Sequence, residues 1–494
     1  MVVTHNIPAD PLAAFIPSLS LSKQHAVVQE LRRQQLEQYR PILQQGAGPI
    51  RVMARMVREL ESRCRARGIS EEVIQAEIVN RTIGDVNLRL VTEYEGAAGG
   101  PGDYRMLADE MGIALPQENI NGYTASGETY LWLRGQMLEC EQLLLDHEID
   151  MRVYDLLAVG NPILRGWLAE EMQQWGLDVN ADQVYLSLGA MDGINKVLCG
   201  LSQVYRERGE SDYAILFPEP GFGVPEWQAN SYGYRLHRFS TLAEHGFKIT
   251  PAELDELLSS DPHLRLIYFT VTNNPTAFAY SPDELNALHA VLREHHEAGH
   301  DVRLLADLAY IGTGQPEADR ARMATFAAPD ALRYTIFVSS LSKTYTLTGD
   351  RFGWVTMGDP ALPAAIGPGW SNSMASLPAE WQLRYMACVR LIRARPWLGE
   401  KLRNFYRLRR QRFIRQLSFI NEQQPLFARI LPDDDATVYN WSQLRPGEDA
   451  FSLFEKTGIV GIPGSGFGYS DDYVRFSIGV IPVPDVLRPL EDTP

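Results

Sequence analysis

Apolar residues recur at three- and four-residue intervals over LSKQHAVVQELRRQQLEQYRPILQQ and, after a GAGP break, over RVMARMVRELESRCRARG. Two helices are therefore predicted between about Leu21 and Gly68. ETYLWLRGQMLECEQLLLDHEID reads as a further helix, preceded by a glycine-rich loop at residues 94–104. From about Tyr154 short runs rich in β-branched and aromatic residues alternate with helical stretches. QVYLSLG, YAILFP, LRLIYFTVT, VRLLADLAY, YTIFVSSLS and FGWVTMG are the predicted strands, while MDGINKVLCGLSQVYRER and SPDELNALHAVLREHH are among the predicted helices. Such alternation implies a mostly parallel sheet covered by helices, a three-layer α/β/α arrangement. After Gly358 a passage rich in Pro, Gly, Ser and Asn leads into an Arg-rich helix predicted to end near Ser418. The expected organisation is an enlarged helical N-terminal region (1–150), partly joining the small domain; a large α/β domain (151–365); and a smaller α+β C-terminal domain (366–494).

Composition narrows the class. A chain of 494 residues, 45% of them hydrophobic, has enough apolar side chains for two or three cores. A net charge of −16, spread along the sequence, opposes a nucleic-acid or anionic-membrane partner. Cys64, Cys140, Cys199 and Cys388 lie far apart and form no CxxC pair, as expected of reduced thiols in a cytoplasmic protein. No basic-then-apolar leader and no apolar run of membrane-spanning length is visible, so secretion and membrane insertion are not expected.

The chemistry gathers at predicted strand ends, where open α/β sheets bind ligands. Ser340-Leu341-Ser342-Lys343 closes one strand, and Arg351 follows eight positions after the lysine. A lysine amine with a lowered pKa attacks an aldehyde to form a Schiff base, and serines with an arginine hold a phosphate dianion. Asp307, with Tyr310 three residues later, closes an apolar strand, and a carboxylate there needs a partner such as a pyridinium N–H. Asn273-Asn274-Pro275-Thr276-Ala277 forms a turn after a third strand. Gly189, Ala190 and Met191 open a helix, where backbone amides and the helix dipole favour an anion. Pro220-Gly221-Phe222 offers an aromatic ring some thirty residues on.

In order and spacing these segments resemble fold-type I pyridoxal-phosphate (PLP) enzymes of the class I/II aminotransferase family, which have the aspartate-aminotransferase fold. The resemblance covers residues 154–475 and implies a PLP cofactor carried by Lys343 as a Schiff base. It makes Asp307 the partner of the ring nitrogen, and Tyr310 and Asn274 the donors to the phenolic oxygen. Gly189, Ala190, Met191, Ser340, Ser342 and Arg351 become phosphate ligands, and Phe222 stacks on the ring. Lys343, Asp307 and Tyr310 are then the catalytic group. Tyr154, in YDLLAVGNPILRGWLAEEM, resembles the tyrosine that reaches the neighbouring subunit's phosphate and implies a homodimer with shared sites. Arg475, with Asn274 beside the substrate, resembles the arginine that grips an α-carboxylate. Ala277 departs from the pattern, which has glycine there. The implied substrates are an α-amino acid and a 2-oxo acid, in amino-acid metabolism.

Two other signals carry less weight. His296-Glu297-Ala298-Gly299-His300 has zinc-protease spacing, but Gly299 should end the helix before the second histidine, so no metal is expected. Gly464 to Gly468 (GSGFG) lacks the strand, helix and acid of a dinucleotide site and suits a loop near the substrate entrance. Tyr154 also lies further along the chain than its counterpart in the family, so the N-terminal region is enlarged. One alternative is a transcriptional regulator in which a winged-helix domain precedes an aminotransferase-like domain. Residues 1–150 hold 14 Lys and Arg against 21 Asp and Glu, the wrong balance for binding DNA. Within the enzyme class, elimination, cyclisation, decarboxylation and oxidation stand beside transamination, because the cofactor-binding residues do not choose among them.

Overall fold

Local sequence explains the helices that frame the sheet. Pro282–Glu297 starts at Ser281, whose side chain accepts from the Glu284 amide while Glu284 accepts from the Ser281 amide. Pro251–Ser260 starts with the same reciprocal cap between Thr250 and Glu253. Each device satisfies amides that a first helical turn leaves without partners. The structure is a computed structural model that describes residues 20–44, 48–82, 84, 122–431 and 437–479.

The seven-stranded sheet is built from β2 (Val184–Leu188), β3 (Ala214–Glu219), β4 (Arg235–Ser240), β5 (Leu264–Thr270), β6 (Arg303–Asp307), β7 (Thr335–Ser340) and β8 (Phe352–Met357), in the order β2-β8-β7-β6-β5-β3-β4. The β8 strand runs antiparallel to β2 and β7, and the other pairs are parallel. Leu304 and Ala306 of β6 face a core built with the helices at 162–174, 251–260, 282–297 and 379–394, while Leu305 faces the helix Ala190–Glu207. Burial on both faces is why these strands read as continuous apolar runs. The predicted strands are all present; β4 escaped prediction because its sequence, RLHRFS, is polar, as suits an edge strand. The Arg-rich segment forms two helices rather than one, Ala379–Ala394 and Trp397–Gln423, parted at Pro396, which has no N–H to continue the ladder.

A second core joins the two ends of the described chain. Helices α1 (Leu21–Gln44), α2 (Pro49–Ala66) and α3 (Glu71–Glu77) pack with Trp441, Phe454 and Phe476, against the four-stranded sheet of β9 (Phe427–Arg429), β10 (Tyr439–Leu444), β12 (Ile462–Pro463) and β13 (Tyr473–Ser477). Arg32 of α1 is buried and donates to the carbonyls of Glu77 at 2.7 Å and Glu455 at 2.9 Å, which ties α1 to α3 and to the helix Ala450–Thr457. The following strand β1 (Val79–Asn80) pairs in parallel with β11 (Ile459–Val460), and the Arg81 carbonyl accepts from the Ser477 amide. This path carries Thr82 and Gly84 to the edge where the strand-end residues gather.

Candidate active site

Parallel strands present their C-terminal ends at one edge of a sheet, and an antiparallel neighbour contributes its start. Leu188, Glu219, Thr270, Asp307 and Ser340 end β2, β3, β5, β6 and β7 there, and Phe352, directly after Arg351, begins β8. A cavity of about 250 Å³ opens at that edge, lined by Ala190, Met191, Phe222, Asn274, Asp307, Tyr310, Ser340, Ser342, Lys343, Arg351 and Arg475. All of these stood among the predicted site residues. A smaller cavity of about 130 Å³ behind the Lys343 turn holds none of the buried acids or bases of this site.

Lys343 sits in a single turn, Leu341–Thr344, directly after β7. Its carbonyl accepts from the Tyr406 hydroxyl at 2.6 Å, and Thr344 Oγ1 donates to the Ile311 carbonyl at 2.9 Å. The amine itself donates to the Gly84 carbonyl. Opposite, Gly189 has φ 82° and precedes the helix Ala190–Glu207. A Cβ at Gly189 would come within 2.5 Å of an Arg351 guanidinium nitrogen, so glycine lets the guanidinium reach the helix N-terminus. Asp192 accepts from the Leu188 amide at 2.8 Å and pairs with buried Lys196 at 2.9 Å, which secures the start of that helix.

Asp307 is buried, and burial pushes its carboxyl pKa up. Its Oδ2 accepts from the Tyr268 hydroxyl at 2.7 Å and its Oδ1 from the Ala309 amide at 2.9 Å. Tyr310 and Tyr439 hydroxyls lie 3.1 Å apart, and the Tyr310 phenol is held well above its ordinary pKa, chiefly by burial and then by Tyr439. Arg475 is 2% exposed; Nη1 donates to Asn274 Oδ1 at 3.0 Å and Nη2 to the Thr82 carbonyl at 2.7 Å. Its Nε is buried without a partner among the described residues, and the guanidinium lies 4.4 Å from the Tyr439 ring centre and 4.8 Å from that of Phe467. Pairing Asn274 Oδ1 with Arg475 leaves the Asn274 amide nitrogen as a donor.

Ala277, which stands where glycine is usual, takes φ 64° and still closes the turn, its amide donating to the Asn273 carbonyl at 2.9 Å. Asn273 Nδ2 also donates to the Pro220 carbonyl at 2.9 Å, linking this turn to the one that bears Phe222. Tyr154 lies apart from the cavity and is 72% exposed, beside Val153, Leu156 and Leu157, each more than 60% exposed. His296 lies in the last turn of its helix, which ends at Glu297, and His300 follows Gly299; their rings bond the carbonyls of Val302 and Leu264. The GSGFG segment forms a turn that places Phe467 against Arg475, and Gly466 lies near Ile50, itself a lining residue.

Sequence reasoning missed Gly84, Tyr268, Tyr439 and Thr82. Tyr268 stands on an apolar strand, where a tyrosine reads as core, while Tyr439 reaches the cavity from the start of β10 and Gly84 from the segment after β1. Gly84 follows the two-residue strand Val79–Asn80 and a polar Arg81-Thr82 pair, so no local pattern marks it.

A helix-flanked, mostly parallel sheet places a lysine, a buried aspartate and a buried arginine around one cavity at its strand ends, the arrangement of an α/β protein with a ligand site at that edge. The aminotransferase class I and II profile matches residues 160–483, and the chain belongs to that family. LL-diaminopimelate aminotransferase from Desulforudis audaxviator is 25% identical over 350 residues, 68% of this chain and 80% of that protein. The enzyme of the same name from Maridesulfovibrio salexigens is 29% identical over 221 residues, 44% of this chain, and the match spans about half (53%) of that relative's length. Among solved structures, a mutant aspartate aminotransferase from Thermus thermophilus superposes with TM-score 0.62 at 18% identity, covering 87% of this chain and 92% of that one. An aminotransferase from Mycobacterium tuberculosis gives TM-score 0.58 at 21% identity over 89% of this chain and 94% of its own.

PLP, on which this family depends, suits the residues present. The amine of Lys343 lines the cavity, Arg351 stands at a helix N-terminus suited to a phosphate, and Asp307 is a buried carboxylate without a cationic partner among the described residues. Gly353 on β8 backs the Gly189 turn, and a Cβ there would come within 2.6 Å of the Gly189 carbonyl carbon. Forcing a methyl into such a contact costs roughly 1–3 kcal/mol. Gly353→Ala is therefore expected to weaken PLP binding by about tenfold or more, as measured by absorbance titration of the apoprotein, with little change in secondary structure by circular dichroism.

Proposed function

We propose that the protein is a PLP-dependent aminotransferase acting on an α-amino acid and a 2-oxo acid. The observation that carries this reading is the convergence of Lys343, Asp307 and Arg475 on one cavity from three separate stretches of chain. When bound, PLP supplies an aldehyde for the substrate amine and a ring that withdraws electrons from Cα. In this reading Arg475 binds the α-carboxylate and so fixes which bond at Cα faces Lys343. Asn274, oriented by Arg475, and Tyr310 donate to the phenolic oxygen, while Phe222 covers one face of the ring. Arg351, Ser340, Ser342 and the amides of Ala190 and Met191 hold the phosphate. Lys343 Nζ would then take the proton from Cα and deliver it to the carbon that came from the cofactor's aldehyde (C4′), the shuttle that makes transamination the default outcome.

Purified holoprotein should be incubated with a panel of amino acids that includes LL-diaminopimelate and aspartate, following the cofactor spectrum and identifying products. A 2-oxo acid, with the amino group retained on the cofactor and passed to a second 2-oxo acid, is the expected result. Ammonia, carbon dioxide or a cyclised product would replace transamination with elimination, decarboxylation or cyclisation on the same site.

The exposed apolar run around Tyr154 supports a homodimer in which Tyr154 serves the neighbouring subunit's phosphate. Mixing Tyr154→Phe with Lys343→Ala subunits is expected to restore part of the activity, because each mixed dimer then holds one site with neither lesion. No recovery, with subunit exchange shown by mass spectrometry, would remove the shared-site reading. The division at 1–150, 151–365 and 366–494 is also our proposal, tested by limited proteolysis. Packing of α1 to α3 into the core that surrounds β10 and β13 supports the enzyme reading over a detachable DNA-binding arm. No helix among the described residues is long and apolar enough to cross a membrane.

A further inference from the structure

We infer that Tyr268 is a positioning residue that holds Asp307 as a charged carboxylate toward the cofactor ring and thereby keeps the ring nitrogen protonated. The inference rests on the PLP reading above and deepens it. Strands β5 and β6 are hydrogen-bonded neighbours with Thr270 opposite Asp307, so Tyr268, two residues earlier on β5, projects from the same face beneath the carboxylate. Its ring packs on Phe217 with centroids 5.7 Å apart, and the residue is 3% exposed, so its hydroxyl has few places to go. That hydroxyl donates to Asp307 Oδ2 at 2.7 Å.

The surroundings of Asp307 make this bond consequential. Burial favours the neutral acid, and two neutral donors, the Tyr268 hydroxyl and the Ala309 amide, oppose it. Among the described residues no cation forms an ion pair with this carboxylate. One proton is shared between Asp307 and the ring nitrogen when a pyridine ring faces the carboxylate. Donation from Tyr268 stabilises the carboxylate and leaves the proton on nitrogen. Without it, the same proton moves to an Asp307 oxygen, the nitrogen becomes a hydrogen-bond acceptor, and the overall charge of the pair is unchanged. The protonated ring is the better electron sink, so Tyr268 acts on Cα–H cleavage through Asp307 without touching the substrate.

The test uses full-length protein loaded with PLP labelled with ¹⁵N in its ring, whose chemical shift reports protonation directly. Wild type is expected to show the protonated shift at neutral pH, and Tyr268→Phe, which keeps the ring, to move most of the way to the hydrogen-bonded free-base shift. Asp307→Asn marks the unprotonated limit. Incorporating 4-aminophenylalanine at position 268, a weaker donor of the same shape, should give an intermediate shift and serves if the phenylalanine variant fails to fold. Loaded variants that keep the wild-type shift would overturn the inference, even if PLP affinity or stability has fallen. Failure of wild type to bind PLP would instead overturn the cofactor reading, so the two failures are distinct.

Discussion

Lys343→Ala is expected to abolish covalent fixation of PLP by borohydride and to lower turnover by about 10²- to 10⁴-fold, the range for a positioned proton-transfer group. The lysine ends in the cavity, and its backbone is tethered independently of the amine, through the Tyr406 hydroxyl on its carbonyl and the Thr344 hydroxyl on the Ile311 carbonyl. Truncation should therefore remove the amine and spare the turn. Reduction of the wild-type holoprotein followed by peptide mass spectrometry should place the label on the peptide containing Lys343. Small primary amines added to the alanine variant should restore part of the proton transfer, which a purely structural defect would not allow. Label on a different lysine, or an undiminished rate in the variant, would show that the amine at the end of β7 is not the reacting group.

Arg475→Ala is expected to weaken binding of amino-acid substrates and carboxylate inhibitors by about tenfold to a hundredfold or more, with PLP affinity nearly unchanged. Charge-assisted hydrogen bonds contribute roughly 1.5–3 kcal/mol, and each 1.4 kcal/mol is a factor of ten. Arg475 is buried, which pushes its guanidinium pKa down, and it is held by Asn274, by the Thr82 carbonyl and by the faces of Tyr439 and Phe467. No carboxylate is among these partners, so an incoming one meets a cation that is already desolvated and oriented. Removing the side chain also strands Asn274 Oδ1 and the Thr82 carbonyl. Arg475→Lys should recover little, because an ammonium cannot bond two carboxylate oxygens in the plane of a guanidinium while keeping both tethers. Calorimetric titration with a substrate analogue checks the effect, and an unchanged dissociation constant would move carboxylate binding elsewhere.

Much of this architecture was legible in the chain because its signals are local. A strand buried on both faces must be apolar along its length, so β2, β3, β5, β6, β7 and β8 stood out, while the polar edge strand β4 did not. The Ser340-to-Arg351 segment spans one strand end, one turn and the start of the next strand, so its chemistry could be read from adjacent residues. Asp307 and Tyr310, Gly189 to Met191, and Asn274 are legible for the same reason: each lies on a short segment whose backbone course follows from its own residues. Once the strands are parallel, sheet geometry brings those segments to one edge.

Tertiary structure alone decided the contacts that complete the site. Arg475 meets Thr82 across 393 positions of sequence, Tyr310 meets Tyr439 across 129, and Tyr268 meets Asp307 across 39. No periodicity or turn residue encodes such pairs, since each depends on how separate elements pack and on burial that removes competing water. The same holds for Gly84, whose carbonyl meets Lys343 only because β1 pairs with Ile459–Val460 and runs toward the cavity. The sequence by itself thus determined the fold class, the strand-end groups and their chemical types, through local pattern and spacing. The partners that orient Asp307, Tyr310 and Arg475 were decided by the three-dimensional packing, because hydrogen-bond geometry and desolvation exist only once distant segments are brought together.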